Sequence, residues 1–141
     1  MGKRREGREA AVQYLFRHDL NAEQQAGYDE AFWELRPSAK NVRDFSDALV
    51  KGVLANQAAI DERIRKYAAN YELHRISVVD RNILRMAIYE MLFCNDVPPV
   101  VSINEAIEIA KRYGTEESGR FVNGILDRVK LDLTRPARTT S

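Results

Sequence analysis

Apolar residues recur every three or four positions along most of the chain, a spacing that predicts α-helices. The first run predicts a helix over residues 5–20, and a short run predicts another over residues 29–35 with Phe32 or Trp33 facing inward. A long run predicts one amphipathic helix over residues 39–67. Its stripe consists of Val42, Phe45, Leu49, Val53, Ile60, Ile64 and Tyr67, with Gly52 and Asn56 among them. These small residues indicate that another helix comes close.

The next run predicts a helix that is apolar on nearly all sides. Ser77 and Asp80 form a capping-box-like start, and the helix is expected over residues 78–94. Such a helix belongs at the centre of a bundle. Its solvent-facing positions are expected to be Arg81, Arg85 and Glu90. The two prolines that follow cannot continue a helix, so residues 95–101 are expected to be an extended link.

Residues 102–129 predict two helices joined by a tight turn. Ser102 and Glu105 have the spacing of a capping box, in which the serine accepts from a backbone N–H and the glutamate reaches back. Gly114 suits a left-handed helix stop. Thr115 is then expected to cap a last helix that continues to about residue 131.

The last predicted helix contains Asn123 and Gly124, which are poor helix formers; glycine costs roughly 1 kcal/mol against alanine. One explanation is structural: Gly124 would let another helix pack closely. The other is functional: Phe121 and Asn123 would stack on and hydrogen-bond to an unpaired RNA base. The pattern alone leaves open whether Phe121 belongs to the core or to such a surface.

The predicted elements contain no sustained alternation of apolar and polar residues, so no strand is expected. Six or seven helices with short links indicate an all-α bundle. A length of 141 residues fits one domain.

Charge is balanced over the whole chain but not along it. Lys+Arg number 22 and Asp+Glu 21, so attraction to nucleic acid must come from local clustering. The one dense basic cluster is N-terminal and is interrupted by Glu6. It consists of Lys3, Arg4, Arg5 and Arg8. Either it binds a polyanion, or it is a solvated, frayed terminus.

Other features narrow the setting and the chemistry. The single Cys94 fits a reducing compartment, and neither a membrane-spanning run nor a signal core is evident, so a cytoplasmic protein is expected. His18 and His74 have no partners at metal-ligand spacing, and no glycine-rich phosphate loop occurs. We therefore expect no metal, no cofactor and no catalysis, which favours a binding module over an enzyme.

Several motifs together resemble the NusB family of bacterial transcription antitermination factors. They are INEAIEIAKRYG (103–114), FVNGILDRV (121–129), DRNILRMAIYE (80–90), DVP (96–98) and the basic N-terminus followed by REAAVQ (8–13). The resemblance covers nearly the whole chain except residues 21–40 and the C-terminal tail.

The resemblance implies about seven helices in two small, roughly perpendicular subdomains, residues 9–75 and 76–132. A basic arm (1–8) would precede them and a flexible tail (133–141) would follow. It implies a non-catalytic factor that binds boxA RNA as a heterodimer with NusE, the small-subunit ribosomal protein. With NusA and NusG, the complex would help RNA polymerase read through terminators, above all in ribosomal RNA operons.

The resemblance also implies roles for individual residues. The RNA-contacting set would be Lys3, Arg4, Arg5, Arg8, Tyr113, Glu117, Arg120, Phe121 and Asn123. Phe16 and Asp80 would face NusE. Two positions depart from the family pattern: Glu6 interrupts the basic arm, and Pro99 stands where many relatives have tyrosine.

Two alternatives remain open at this point. NusB-like domains also occur in cytosine methyltransferases of ribosomal RNA, although no cofactor-binding α/β domain is evident here. The chain could also be a homodimeric helical scaffold, since some relatives self-associate through the RNA-contacting surface.

Overall fold

The computed structural model describes residues 2–20, 28–68 and 72–134. These residues form seven α-helices and one short 3₁₀ helix, without a strand among them, which confirms the all-α prediction. The helices are α1 (Lys3–Leu20), α2 (Tyr28–Leu35), α3 (Lys40–Ala55), α4 (Gln57–Tyr67), α5 (Val78–Phe93), α6 (Pro99–Tyr113) and α7 (Ser118–Thr134), with the 3₁₀ turn Leu73–Arg75 before α5. Most of the predicted tail lies outside the described residues.

Helix α5 is the centre of the molecule, as its apolar pattern predicts. It contacts α1, α3, α4, α6 and α7. Its residues Ile83, Leu84, Met86 and Ile88 have no exposed surface, and burying each such side chain contributes about 1.5–3 kcal/mol. One apolar cluster takes side chains from these six helices, so the helices of both predicted subdomains share a core.

The polar residues of α5 are not solvent-facing, and that prediction is wrong. Arg85 and Glu90 are buried, and Arg81 is largely covered. Arg85 Nε donates to Asp61 Oδ1 at 2.8 Å, and both Arg81 and Arg85 donate to Asp19 Oδ2, at 2.8 and 3.0 Å. Because α5 is enclosed, its charged groups must be paired inside the protein, since an unpaired buried charge is costly.

The predicted single helix over residues 39–67 is two helices that meet at Asn56. The Asn56 side chain donates to the Gly52 carbonyl oxygen at 2.8 Å, with backbone φ −118° and ψ 16°. Such side-chain bonds compete with the helical backbone, which explains the break. The predicted close approach at Gly52 is confirmed, because a Cβ there would overlap the ring of Tyr89 on α5.

Helix α6 starts earlier than predicted. Pro99 is its first residue, a position that proline favours because its missing N–H is not needed there. Ser102 is therefore inside the helix and not its cap, and its Oγ donates to Glu90 Oε1 at 2.9 Å. Glu105 likewise makes no capping box but binds Arg5. Residues 99–101 belong to the helix and not to an extended link.

The turn between α6 and α7 also differs from the prediction. Gly114 has φ −97° and ψ −161°, an extended and not a left-handed conformation. Glycine is needed there because a Cβ would overlap the Ser118 hydroxyl. That hydroxyl accepts from the Thr115 N–H at 2.9 Å, and α7 begins at Ser118.

Helix α2 packs against α1 through both residues that are candidates for facing inward. Phe32 and Trp33 are buried and form a small cluster with Ala10, against which Tyr14 packs. The Trp33 Nε1–H donates to Asp47 Oδ1 at 3.4 Å. Among the described helices, none is long and apolar enough to cross a membrane.

Candidate nucleic-acid interface

The N-terminal basic residues form the first turns of a helix and not an extended arm. Helix α1 begins at Lys3, and both Lys3 and Arg4 are exposed. Arg4 Nη2 lies 3.8 Å from Asp96 Oδ2, and both of these side chains are well exposed to water. Glu6 falls in the first turn, where an acid offsets the unfavourable effect of cations on the helix dipole.

Arg5 is held by Glu105 of α6. Its Nε donates to Glu105 Oε1 at 2.8 Å and its Nη2 to Oε2 at 2.7 Å, a forked pair that leaves Nη1 outside it. The hydrogen bond from Arg5 lowers the pKa of Glu105, outweighing the opposite effect of partial burial. The same bond raises the pKa of Arg5, which keeps its guanidinium charged. Because Nε and Nη2 are held by Glu105, only Nη1 lies outside this pair.

Arg8 lies in the interior, so the predicted phosphate contact finds no surface position here. Its side chain is 3% exposed, and its Nε donates to both oxygens of Glu90 at 3.0 Å. Ser102 donates to the same carboxylate, and Arg8 Nη1 lies 3.8 Å from Glu105. The pair anchors α1 to α5 and α6, because removing one member would leave a buried charge unpaired.

A second cluster forms where the 3₁₀ turn and the start of α5 face α7. The residues lining this pocket, here called the Phe121 pocket, are Arg75, Ile76, Ser77, Asp80, Glu117, Arg120 and Phe121. Phe121 is half-buried: its ring packs on the core cluster while part of it remains exposed. The residue therefore belongs both to the core edge and to the surface.

Asp80 lines this pocket with an unsatisfied acceptor. Its backbone N–H donates to Ser77 Oγ at 3.1 Å, which confirms the predicted cap. The residue is 9% exposed, and its Oδ1 has no hydrogen-bond partner among the described residues. An unpaired buried polar group costs roughly 1–3 kcal/mol, so a donor from a ligand would complete this site.

Two exposed arginines line the same pocket as Asp80. The Arg120 side chain is 87% exposed, with Nη1 3.7 Å from Glu117, and the Arg75 side chain is 74% exposed. Surface pairs of this kind are weak and readily exchanged for a phosphate. The sequence pattern did not single out Arg75, since nothing local distinguishes it from other surface arginines.

Asn123 and Gly124 lie two and three residues beyond Phe121 on α7. Asn123 is half-buried and Gly124 is exposed. A Cβ at Gly124 would meet no atom within 4 Å, so the prediction that another helix packs against this glycine is wrong.

Tyr113 lies in a different place from Phe121. It lines an apolar groove formed by Val12, Gln13, Phe16, Arg17, Phe32, Leu35, Arg36, Val79 and Tyr113. The Tyr113 hydroxyl donates to Glu9 Oε1 at 3.3 Å, and burial together with the Glu9 charge raises its pKa. The structure thus places Tyr113 beside Phe16, and places Asp80 beside Phe121.

The groove and the Phe121 pocket adjoin at the start of α5, where Val79 lines the groove and the next residue lines the pocket. The predicted residues therefore occupy three neighbourhoods: the start of α1, the groove and the pocket. Within residues 2–20, 28–68 and 72–134, no group of three or more histidines, cysteines or acids is arranged to hold a metal ion.

Comparison with known proteins shows which family the chain resembles. The NusB family model matches residues 5–130. The chain is 49% identical to the transcription antitermination protein NusB of Desulfatibacillum aliphaticivorans over 133 residues, covering 94% of this chain and 93% of that protein. It is 48% identical to NusB of Geobacter sulfurreducens over 134 residues, covering 94% and 97%.

Solved structures agree with this likeness. NusB of T. maritima superposes with a TM-score of 0.82 at 42% identity, covering 94% of this chain and 92% of that one. A crystal structure of the antitermination factors NusB and NusE in complex with dsRNA matches with a TM-score of 0.84 at 26% identity, covering 94% and 98%.

Proposed function

This chain belongs to the NusB family of transcription antitermination proteins, and we propose that it binds boxA-type single-stranded RNA in nascent transcripts together with NusE. In this role it acts without catalysis, in the cytoplasm. It promotes read-through by RNA polymerase alongside NusA and NusG, above all in ribosomal RNA operons.

The Phe121 pocket is the observation that carries this proposal. It combines a half-exposed aromatic ring, a buried acceptor without a donor, and two exposed arginines. Single-stranded RNA offers the matching groups: a base face that can stack, base amino groups or a 2′-hydroxyl that can donate, and phosphates. Glu117 lines the same pocket. Asn123, two positions after Phe121 on α7, does not line it and stays in the proposed contact set only by its predicted role.

The start of α1 supplies a smaller, sequence-independent share of the affinity. Lys3 and Arg4 are exposed, and Arg5 retains Nη1 outside its pair with Glu105. Cations of this kind neutralise phosphates and release counterions, so binding weakens as salt rises. Arg8 is left out of this surface because Glu90 holds it in the interior.

The apolar groove supports the proposed NusE contact. Phe16 lines it together with Val12, Val79 and the exposed Leu35. An apolar concavity with aromatic walls is the usual centre of a protein–protein interface. Tyr113 belongs to this groove by position, and Asp80 lies where the groove meets the RNA-binding pocket, so NusE and RNA would be neighbours on the bound protein.

Replacing Phe121 with alanine tests the proposed function. The loss of one stacking platform is expected to weaken boxA RNA binding by about 1–3 kcal/mol, roughly fivefold to 150-fold. Affinity would be measured by fluorescence anisotropy on the preformed complex with NusE. The matched control is Phe93→Ala, since Phe93 is also an exposed aromatic but ends α5 outside the pocket. Equal RNA affinity of the two variants would overturn the proposal.

A further inference from the structure

Gly124 carries a stability cost that no contact among the described residues explains. It lies within α7, six residues after the helix begins, where alanine is the better helix former. Its backbone conformation is open to any residue, and a Cβ there would point into empty space. Neither a turn nor a close helix contact in the described part of the chain requires glycine at this position.

The place of Gly124 on the helix indicates what could require it. Residues three and four apart share a helix face, so Gly124 follows Phe121 and Arg120 by one turn on the same side of α7. Those two residues line the Phe121 pocket, in which Asp80 is buried with an acceptor that lacks a donor. Gly124 does not itself line the pocket, but it lies one turn beyond it on the same exposed side of α7.

Resting on the RNA-binding function proposed above, we propose that Gly124 is the clearance point for the bound RNA strand. The sugar–phosphate backbone passes directly over α7 at Gly124 while one base enters the Phe121 pocket. Glycine is the residue that allows a ligand to approach the protein backbone this closely. A side chain at this position would hold the strand away from the pocket and displace its base.

The two exposed arginines of the pocket offer contacts to RNA phosphates, while Asp80 and Glu117 balance their charge. Arg120 and Arg75 are both exposed, and their only described partners are surface acids 3.5–3.7 Å away. A phosphate of the RNA can accept hydrogen bonds from both guanidinium groups, because the planar fork of donors in arginine matches the geometry of phosphate oxygens. A ribose 2′-hydroxyl or a base amino group can donate to Asp80.

The same helix provides a matched control. A Cβ at Gly119 would lie 3.8 and 3.9 Å from side-chain atoms of Lys111 and Ile107, which is ordinary contact. Gly119 therefore faces α6 and lies on a different side of α7 from Gly124. Gly119→Ala improves helix propensity without placing an atom in the path of the RNA.

The experiment compares Gly124→Ala, Gly124→Leu and Gly119→Ala for thermal stability, RNA affinity and NusE affinity. Gly124→Ala is expected to raise Tm by about 2–4 °C and to weaken boxA RNA binding about tenfold. Gly124→Leu should weaken RNA binding further, whereas Gly119→Ala should bind as the parent does. NusE affinity measured without RNA should not change.

Each outcome decides between distinct conclusions. Parental RNA affinity in both Gly124 variants would overturn the clearance role while leaving the proposed function intact, provided that Phe121→Ala still weakens binding. Loss of NusE affinity with RNA affinity unchanged would instead identify a protein at this position and overturn the RNA assignment. A Phe121→Ala variant with full RNA affinity would overturn the proposed function itself.

Discussion

The start of α1 and the Phe121 pocket differ in how many charged groups they contain and in how many of those groups remain available to a ligand. The first has four basic residues within six positions, yet Arg5 and Arg8 are paired with Glu105 and Glu90. The second has nearly balanced charge, yet it contains an acceptor without a donor and loosely held arginines. The number of charges in a segment is therefore a poor measure of what it can bind.

Charged side chains can either hold a helix in place or bind a ligand, and a basic sequence motif does not show which of the two each residue does. Paired charges fix the position of a helix, whereas unpaired groups are those that a ligand can satisfy. In this protein the basic motif mainly fixes α1 in place. Under the proposed function, selection of RNA would be concentrated at the pocket. Three changes test this contrast at the N-terminal side.

The largest effect is expected from Arg8→Ala. It leaves the Glu90 carboxylate buried without its main partner, which typically costs about 3–5 kcal/mol of unfolding free energy. Urea denaturation followed by circular dichroism would measure the loss. Arg4→Ala is the control, because the Arg4 side chain is exposed and its removal should change stability by less than about 0.5 kcal/mol. Equal stability of the two variants would mean that Arg8 is not an internal anchor.

A smaller effect is expected when the exposed cations are removed together. The double variant Lys3→Ala with Arg4→Ala should reduce the slope of log affinity against log salt by about 1.4, since each phosphate contact on a single strand contributes about 0.7. Stability and NusE binding should not change. Lys51→Ala with Lys66→Ala removes two exposed cations elsewhere and serves as the control. An unaltered slope in the N-terminal variant would contradict the proposed phosphate contacts.

The smallest effect is expected in the dependence of stability on pH below neutrality. Because the folded-state pKa of Glu105 is lowered by Arg5, its contribution to stability is fully present above the unfolded pKa of about 4.3 and is lost as pH falls through the folded pKa. Asp19 behaves in the same way: burial opposes its ionisation, but the bond from Arg81 and the charge of Arg85 outweigh burial and lower its pKa.

Urea midpoints measured from pH 7 to pH 3 would show this dependence. The parent and Glu105→Gln are expected to differ near neutral pH and to converge as the solution is acidified. A difference that stays constant across this range would show that the Arg5 pair contributes nothing through ionisation.

Helix positions and the central place of α5 could be predicted because periodicity is a local property of the chain. The pattern does not reveal the break at Asn56, because the apolar stripe continues through it while the Asn56 side chain competes for a backbone acceptor. The start of α6 was misplaced because Ser102 has the spacing of a cap, although its hydroxyl is used by Glu90.

The partners of charged residues could not be predicted in the same way. Arg85 binds Asp61 and Asp19, which are 24 and 66 positions away, and Arg5 binds Glu105 at a separation of 100. No local pattern encodes such pairs, so the sequence predicts solvent-facing positions for charged residues that are in fact buried. Gly124 is a different case. The sequence pattern indicates an unusual glycine within a helix, but only the structure, with open space around this residue, excludes a packing role.

Helix α2 has a consequence for spectroscopy. Trp33 is the only tryptophan in the chain, and it belongs to the small cluster with Phe32 and Ala10, outside the core around α5. Tryptophan emission from this protein therefore reports on the docking of α2 against α1 and α3, whereas the far-ultraviolet signal reports on all the helices. Phe32 lines the apolar groove and its ring packs against that of Trp33, so a ligand that enters the groove comes close to the protein's own fluorescent residue.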